Sequence, residues 1–365
     1  MPRKQQLLKS DISSVTTSST RAAAERRRGL RSLTLPELVD WTDRRGFDSY
    51  RASQLAGWFY NRPLTAVDDM HNLPSDLRQA LAEDFDVTLP ERADCHESSD
   101  GTRKLLVGLA DGARVESVLI PRGERLTLCL STQVGCGMGC TFCATARMGL
   151  MRNLEPDEII GQVLLARELA GSQPVTNYVF MGMGEPLANY ERLVAAIGLM
   201  TARWGLGVSP RRITVSTVGL VPALKRLVTD TNVNVAVSLN ATRDELRDDI
   251  MPVNRRYPIA ELLEACRQLD LPRRKRVTFE YVMLAGVNDS DEDADRLVSL
   301  FAPMAVKLNL IPFNPFEGSL FEPPSPERVD AFQRRMLDRG LHTTVRISRG
   351  RDIAAACGQL AAAGS

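Results

Sequence analysis

Cys136, Cys140 and Cys143 stand in one short run, Gly135-Cys136-Gly137-Met138-Gly139-Cys140-Thr141-Phe142-Cys143, with the spacing C-x3-C-x2-C. Three thiolates on one loop can hold a cubane iron–sulfur cluster through three of its four irons. The fourth iron then has no protein ligand and can bind a small molecule, whereas most cluster proteins supply four cysteines. A centre left one ligand short points to chemistry at the metal rather than to electron storage alone. A structural zinc site is the other use of such thiols, but zinc takes four ligands in a closed tetrahedron, usually from two separated knuckles. This chain has no second C-x2-C, and none of its three histidines, His71, His96 and His342, lies near the run. A catalytic zinc on three thiolates stays open as the alternative. Glycines at 135, 137 and 139 suit a loop wrapped around a bulky inorganic core, because glycine tolerates backbone angles other residues avoid.

A second motif, Phe180-Met181-Gly182-Met183-Gly184-Glu185-Pro186, follows an apolar run and precedes a helical pattern. A dinucleotide fingerprint would read G-x-G-x-x-G. Position 187 is Leu, and Glu185 would repel a pyrophosphate. The Gly-Glu pair instead offers acceptors suited to an ammonium group. Cys129 precedes the cluster run, and Cys357 lies near the end of the chain; in isolation each reads as a small buried hydrophobe, as do Cys95 and Cys266.

The elements that would position these residues are legible in outline. Residues 33–89 read as a small helical region, with helices opening at Leu35 and Tyr50 and a third capped by Ser75. Leu55, Trp58 and Phe59 share one face there and read as core. Residues 104–109 and 115–120, joined at Asp111-Gly112, read as a β-hairpin. Residues 126–130 form a strand running straight into the cysteine loop. Strand patterns at 178–181, 213–216, 233–239, 277–283, 306–311 and 343–347 then alternate with helix patterns at 156–170, 191–203, 260–269, 291–301 and 327–340. Such alternation gives an α/β fold with a parallel sheet, open or curled into a partial barrel, and ligands at the carboxyl ends of its strands.

Bulk composition limits the function classes. With 365 residues, 44% hydrophobic and 25% charged, the chain is an ordinary globular protein. A formal net charge of +1 means that any nucleic-acid role rests on local basic runs: Arg26-Arg27-Arg28, Arg211-Arg212, Arg255-Arg256 and Arg273-Arg274-Lys275-Arg276. No secretory core and no apolar run of about 20 residues is visible, so no membrane association and a cytoplasmic location are expected. Residues 1–32, rich in Ser, Thr, Arg and Lys, loosely resemble a transit peptide and read as a basic, disordered tail.

The run C-x3-C-x2-C with an aromatic before its third cysteine resembles the radical S-adenosylmethionine (SAM) superfamily. The longer run Cys129-Leu130-Ser131-Thr132-Gln133-Val134-Gly135-Cys136 and the segment Met151-Arg152-Asn153-Leu154 resemble one branch, the RlmN/Cfr family of RNA methyltransferases. Gly182-Met183-Gly184-Glu185-Pro186-Leu187, Ser216-Thr217, Ser238-Leu239-Asn240-Ala241, Ile311-Pro312-Phe313-Asn314-Pro315 and Ala355-Ala356-Cys357-Gly358-Gln359-Leu360 match that family in order. The resemblance spans about residues 33–362. It implies a partial (β/α)6 radical-SAM barrel at 126–348, a small helical N-terminal RNA-binding domain at 33–89, a β-hairpin extension at 90–125 and a C-terminal segment at 349–365 carrying Cys357.

The resemblance also implies the site. Cys136, Cys140 and Cys143 would ligate a 4Fe–4S cluster, and SAM would chelate its open iron. Gly184, Glu185, Ser216, Ser238, Leu239, Asn240 and Asn314 match the positions that contact SAM. Cys357 matches the cysteine that is itself methylated, Cys129 the cysteine that resolves the intermediate, and Glu116 the acid–base carboxylate. The implied target is carbon 2 of one adenosine in the peptidyl-transferase centre of 23S rRNA, and in many members also the adenosine 3′ of the tRNA anticodon. Two SAM molecules serve each turnover, with an electron donor such as a flavodoxin. Cys357 must then fold back onto the cluster face. Alternatives are methylation at carbon 8 of the same adenine, as in the Cfr branch, and a non-catalytic iron–sulfur RNA-binding paralogue. Two departures stand out. Ala144-Thr145-Ala146-Arg147 replaces the family's usual Ala-Thr-Gly-Gln, and Asn240 stands where His is common. The new charge at Arg147 is expected to alter RNA or SAM contact.

Overall fold

The structure, a computed structural model, describes residues 27–61, 66–272 and 275–362. The tail at 1–26 and Arg273-Arg274 of the longest basic run lie outside the described residues. The chain divides into two compact units, the first ending at Thr88 and the second beginning at Leu89, with Tyr60 and Asn61 assigned to the second.

The first unit is built on helices α1 (Leu35–Arg44), α2 (Tyr50–Asn61) and α3 (Ser75–Asp84). Helix α1 opens with a capping box: the Thr34 amide donates to Glu37 Oε2 at 2.7 Å, and Thr34 Oγ1 accepts from the Glu37 amide at 3.4 Å. Its core gathers Leu38, Trp41, Leu55, Leu77, Leu81 and Phe85, all buried. Trp41 meets Phe85 edge-on at 5.4 Å and donates its indole N–H to Asp84. Ordered packing starts before residue 33, because Leu30 and Arg31 are buried in a short 3-10 turn. Two expectations change here. Ser75 is the first helical residue rather than the cap; Pro74 takes the N-cap position, where a missing N–H costs nothing. Trp58 is half-buried rather than core and donates to Asn72 at 2.7 Å.

The second unit is a ten-stranded sheet in the order β1-β2-β3-β4-β7-β8-β9-β10-β11-β12, with β5 and β6 forming a separate two-stranded ribbon. The strands are β1 (Glu91–Glu97), β2 (Arg103–Gly108), β3 (Arg114–Arg122), β4 (Arg125–Cys129), β5 (Gln133–Gly135), β6 (Leu150–Asn153), β7 (Asn177–Phe180), β8 (Ile213–Thr217), β9 (Asn234–Ser238), β10 (Thr278–Met283), β11 (Lys307–Pro312) and β12 (Thr343–Val345). Strands β1 to β4 pair antiparallel. From β4 onward every neighbour is parallel. The sheet is open, with β1 and β12 at its edges, so the barrel is partial as expected. The parallel strands are near-continuous apolar runs such as Val235-Ala236-Val237, as strands covered on both faces require.

Sequence patterning missed β1 and the β5–β6 ribbon. Strand β1 reads Glu-Arg-Ala-Asp-Cys-His-Glu and is mostly exposed; an edge strand needs no apolar face, and its charges discourage further pairing. The ribbon is too short for a periodic signal, yet it frames the cysteine loop. Gly135 makes it feasible: a Cβ there would lie 1.8 Å from the Gly149 carbonyl oxygen, and its φ is +74°.

Candidate active site

The parallel strands present their carboxyl ends to one cavity, as expected of an α/β sheet. It is lined by residues that follow β5, β7, β8, β9 and β11 and by Glu280 and Val282 of β10. Cys136, Cys140 and Cys143 line it from the loop after β5. That loop is held by backbone bonds from Cys136 to Gly149 and from Thr141 to Ile250, at 2.9 and 3.1 Å, and Cys143 caps the short helix α4 (Ala144–Arg147). Around it pack Phe142, Ile250, Met251, Leu284 and Phe313. This apolar setting pushes the cysteine thiols up, Cys136 to about 11 and Cys140 well above the usual thiol range, chiefly through burial. Without a metal the three are therefore neutral thiols at neutral pH, and metal loading must release their protons.

Gly184, Glu185, Ser216, Ser238, Asn240 and Asn314 also line this cavity; Leu239 does not, its side chain being wholly buried. Gly184 is forced: its φ is +98°, and a Cβ would lie 2.5 Å from Gln133 Cβ. Gln133 in turn accepts from the Glu185 amide at 2.8 Å. Glu185 is buried and already accepts from Thr217 Oγ1 at 2.6 Å and from the Leu187 and Val218 amides at 3.0 and 2.9 Å. Burial outweighs these bonds and raises its carboxyl to about 7. Asn240 sits at φ +57°, and its Oδ1 accepts the Val282 amide at 2.8 Å, so it stitches β9 to β10. Asn314 donates to the Cys357 carbonyl at 3.1 Å. Gly184→Ala is expected to lower stability by about 1–3 kcal/mol through overpacking and to weaken SAM binding, read by denaturant titration and by equilibrium binding; unchanged values in both would count against this wall.

The structure brings Cys357 to the same cavity. Its segment is docked on the cluster loop by the Ala144 amide donating to the Gly358 carbonyl at 2.8 Å and by Thr145 Oγ1 donating to the Leu360 carbonyl at 2.6 Å. Cys357 also lines a second, smaller cavity together with Cys129, Met181 and Arg346. Cys129 is buried, and burial pushes its thiol up to about 12. All seven cysteines are free. Glu116, on β3, is buried but outside the wall of the main cavity. Arg147 does not point at the cavity; it donates to the Glu317 carbonyl at 3.3 Å and lies over Phe316 at 5.0 Å, pinning the loop after β11.

Three side chains that the motifs did not flag shape the site. Glu280, inside the apolar strand β10, is buried in the cavity wall. Its Oε2 accepts from Ser216 at 2.7 Å, while its Oε1 has no hydrogen bond and lies 3.7 Å from Arg346. A lone acid in an apolar run was the available signal. Arg346 follows β12, between Glu280 and the second cavity. Arg247, fully buried in α5 (Asp244–Ile250), donates to the carbonyls of Leu239, Ser238, Val218 and Tyr257 and to Asn254 Oδ1. Burial lowers its pKa to about 10. It sits in a surface-like charged helix, so nothing local marked it.

Three thiols at the mouth of an open, parallel α/β sheet define a radical SAM fold, and the model of the Radical SAM superfamily matches residues 130–298. The model of the ribosomal RNA large subunit methyltransferase N-terminal domain matches residues 29–87. Dual-specificity RNA methyltransferase RlmN of Anaeromyxobacter dehalogenans is 50% identical over 342 residues, covering 92% of each chain. The protein of the same name from Geobacter sulfurreducens is 49% identical, covering 91% of each. A radical SAM methyltransferase from Sphaerobacter thermophilus has a solved structure that superposes with a TM-score of 0.88 at 44% identity, over 92% of this chain and all of that one. The chain belongs to the RlmN family of radical SAM RNA methyltransferases.

The cofactors of that class are a 4Fe–4S cluster and SAM, and the site's chemistry fits them. The three thiols of the loop after β5 line one cavity with Glu185, Ser216 and Asn240, and Cys357 faces them from the C-terminal segment.

Proposed function

We infer that this enzyme methylates carbon 2 of a specific adenosine in 23S rRNA, and of the adenosine 3′ of the tRNA anticodon, with Cys357 as the methyl carrier. The observation that carries the reading is Cys357 at the boundary of two cavities, one lined by the three cluster thiols and the other by Cys129. Carbon 2 of adenine is electrophilic and cannot attack a methyl donor as an amine would. A carrier that presents the methyl group as a carbon radical solves that problem. The cluster and two molecules of SAM supply the methyl group and the hydrogen-abstracting radical. The polypeptide does the rest. Cys357 accepts the methyl group as a thiolate. The methylene radical on Cys357 would add to carbon 2 of adenine and the surplus electron would leave through the cofactors, Glu116 would take the carbon 2 proton, and the Cys129 thiolate would attack the Cys357 sulfur, forming a disulfide and breaking the sulfur–methylene bond, whose carbon takes up a proton as the methylated base leaves. The shared small cavity supports the last step, which needs two sulfurs within bonding reach. Cys136, Cys140 and Cys143 hold the cluster. Gly184, Glu185, Ser216, Ser238, Asn240 and Asn314 form the SAM subsite, with Leu239 buried behind its wall; Glu185 supplies charge, and Asn314 acts by holding the Cys357 backbone.

Residues 29–87 serve as the RNA-docking domain, a reading supported by the family model that spans them. A cytoplasmic location and a flavodoxin-like electron donor belong to this reading. Among the described residues no helix is long and apolar enough to cross a membrane. Anaerobic reconstitution followed by assay on protein-free rRNA and on tRNA transcripts, with mass mapping of isotope-labelled adenine, tests the reading. Carbon 8 methylation would replace it with the Cfr-type outcome, and absence of any methylation would favour a non-catalytic paralogue. In the same assay Cys129→Ala is expected to accumulate a covalent protein–RNA adduct, seen as a retarded band on a denaturing gel; normal turnover would remove Cys129 from the scheme.

A further inference from the structure

Lys104 and Glu116 form an ion pair of 2.9 Å with side chains only 12% and 5% exposed. They lie on neighbouring strands, Lys104 opposite Val118 and Glu116 opposite Leu106, so the two share one face as a diagonal pair. The pair also grips the segment around Cys357 at both ends. Glu116 Oε2 accepts from the Ala361 amide at 2.9 Å, and Lys104 Nζ lies 3.5 Å from the Ala354 carbonyl. Between these points the segment touches the cavity through Cys357 and Gly358. The start of the segment is fixed on the turn between β1 and β2, with Ser98 Oγ donating to Asp352 at 2.6 Å and the Gly350 amide donating to Asp100 at 3.0 Å.

A carboxylate this buried is costly unless paired and hydrogen-bonded. As a purely structural device an ion pair is a poor choice, since an apolar pair of similar volume often does as well. Each Glu116 oxygen accepts one bond here, leaving a lone pair on each to receive a proton. We propose that Lys104 is a positioning residue for the reaction: by pairing with Glu116 and reaching the Ala354 carbonyl, it ties the proton-accepting carboxylate to the loop that carries the methyl group, so that base and carrier are set together. This rests on the assignment of Glu116 and Cys357 above. It adds a residue that touches neither the cofactor nor the adenine and acts through Glu116.

The test compares Lys104→Met, Lys104→Arg and Cys129→Ala with the unmodified protein. In the cluster-free chain, hydrogen exchange at residues 354–361 is expected to speed up about tenfold in Lys104→Met, with the rest of the protein unchanged. In the reconstituted enzyme, Lys104→Met is expected to methylate Cys357 normally, as read by peptide mass. It then loses about 10²-fold in RNA methylation, the lower end of general-base contributions, while the protein–RNA adduct accumulates. Lys104→Arg restores most of the rate. Turnover of Lys104→Met without adduct overturns the proposal. So does a merely structural outcome, in which the melting midpoint, Cys357 methylation and RNA methylation all fall together. If Cys129→Ala traps adduct and Lys104→Met does not, only the Lys104 role fails. If neither traps it, the carrier scheme fails and takes this role with it.

Discussion

Cys357→Ala is expected to bring RNA methylation to background while leaving cluster loading intact. The substitution removes one sulfur from a half-buried position at the cavity boundary, and the contacts that dock its segment are made by neighbours: the carbonyls of Gly358 and Leu360, the amide of Ala361 and the side chain of Gln359. The fold therefore loses little, whereas the proposed reaction loses its covalent link between donor and base. Iron and sulfide content, together with the visible absorption of the reconstituted protein, should match the unmodified enzyme. The activity loss should exceed the ~10²–10⁴-fold typical of removing a proton-transfer group, because the proposed scheme gives the methyl group no other carrier. Methylated RNA from a purified Cys357→Ala enzyme would refute the carrier scheme outright.

Arg247→Met is expected to be the most damaging single change to stability outside the hydrophobic core. Methionine recovers part of the stem volume but none of the five hydrogen bonds. The carbonyls of Ser238, Leu239 and Val218 belong to the carboxyl ends of β8 and β9 at the cavity, and Asn254 and Tyr257 to the chain that follows α5. A buried acceptor left without a donor costs about 1–3 kcal/mol. Even two or three such groups would remove several kcal/mol, a large part of a typical folding stability of about 5–15 kcal/mol. The denaturation midpoint should fall sharply. Arg247→Lys should recover only part of it, since an ammonium cannot span the same fork of acceptors. A midpoint within experimental error of the unmodified protein would show that these loops are held by something else.

Much of this enzyme was legible in one dimension. The cluster loop is local, so spacing alone declares it: three thiols and three glycines within nine residues. The helices of the first unit and the strands of the parallel sheet followed from periodicity because each buries a face or a whole strand. What periodicity could not reach were the edge strand β1, which buries no face, and the β5–β6 ribbon, whose strands of three and four residues are too short to show a repeat. Polar residues also meet partners distant in sequence that no local motif shows. Asn240 stitches two strands, Asn314 holds the Cys357 backbone, and Arg147 pins a loop rather than facing the cavity.

The amino-acid order by itself determined that a metal centre would lack one ligand and that a parallel sheet would deliver its loops to a common rim. Both are consequences of short-range chemistry, ligand spacing and the apolar character of individual strands. Only the tertiary structure decided which distant groups share that rim: Cys357 against the cluster loop, Cys129 in the adjoining cavity, Glu280 between Ser216 and Arg346, and Lys104 beside Glu116. Those meetings depend on how ten strands register side by side, and register is set by the packing of the whole sheet rather than by any one segment of the chain.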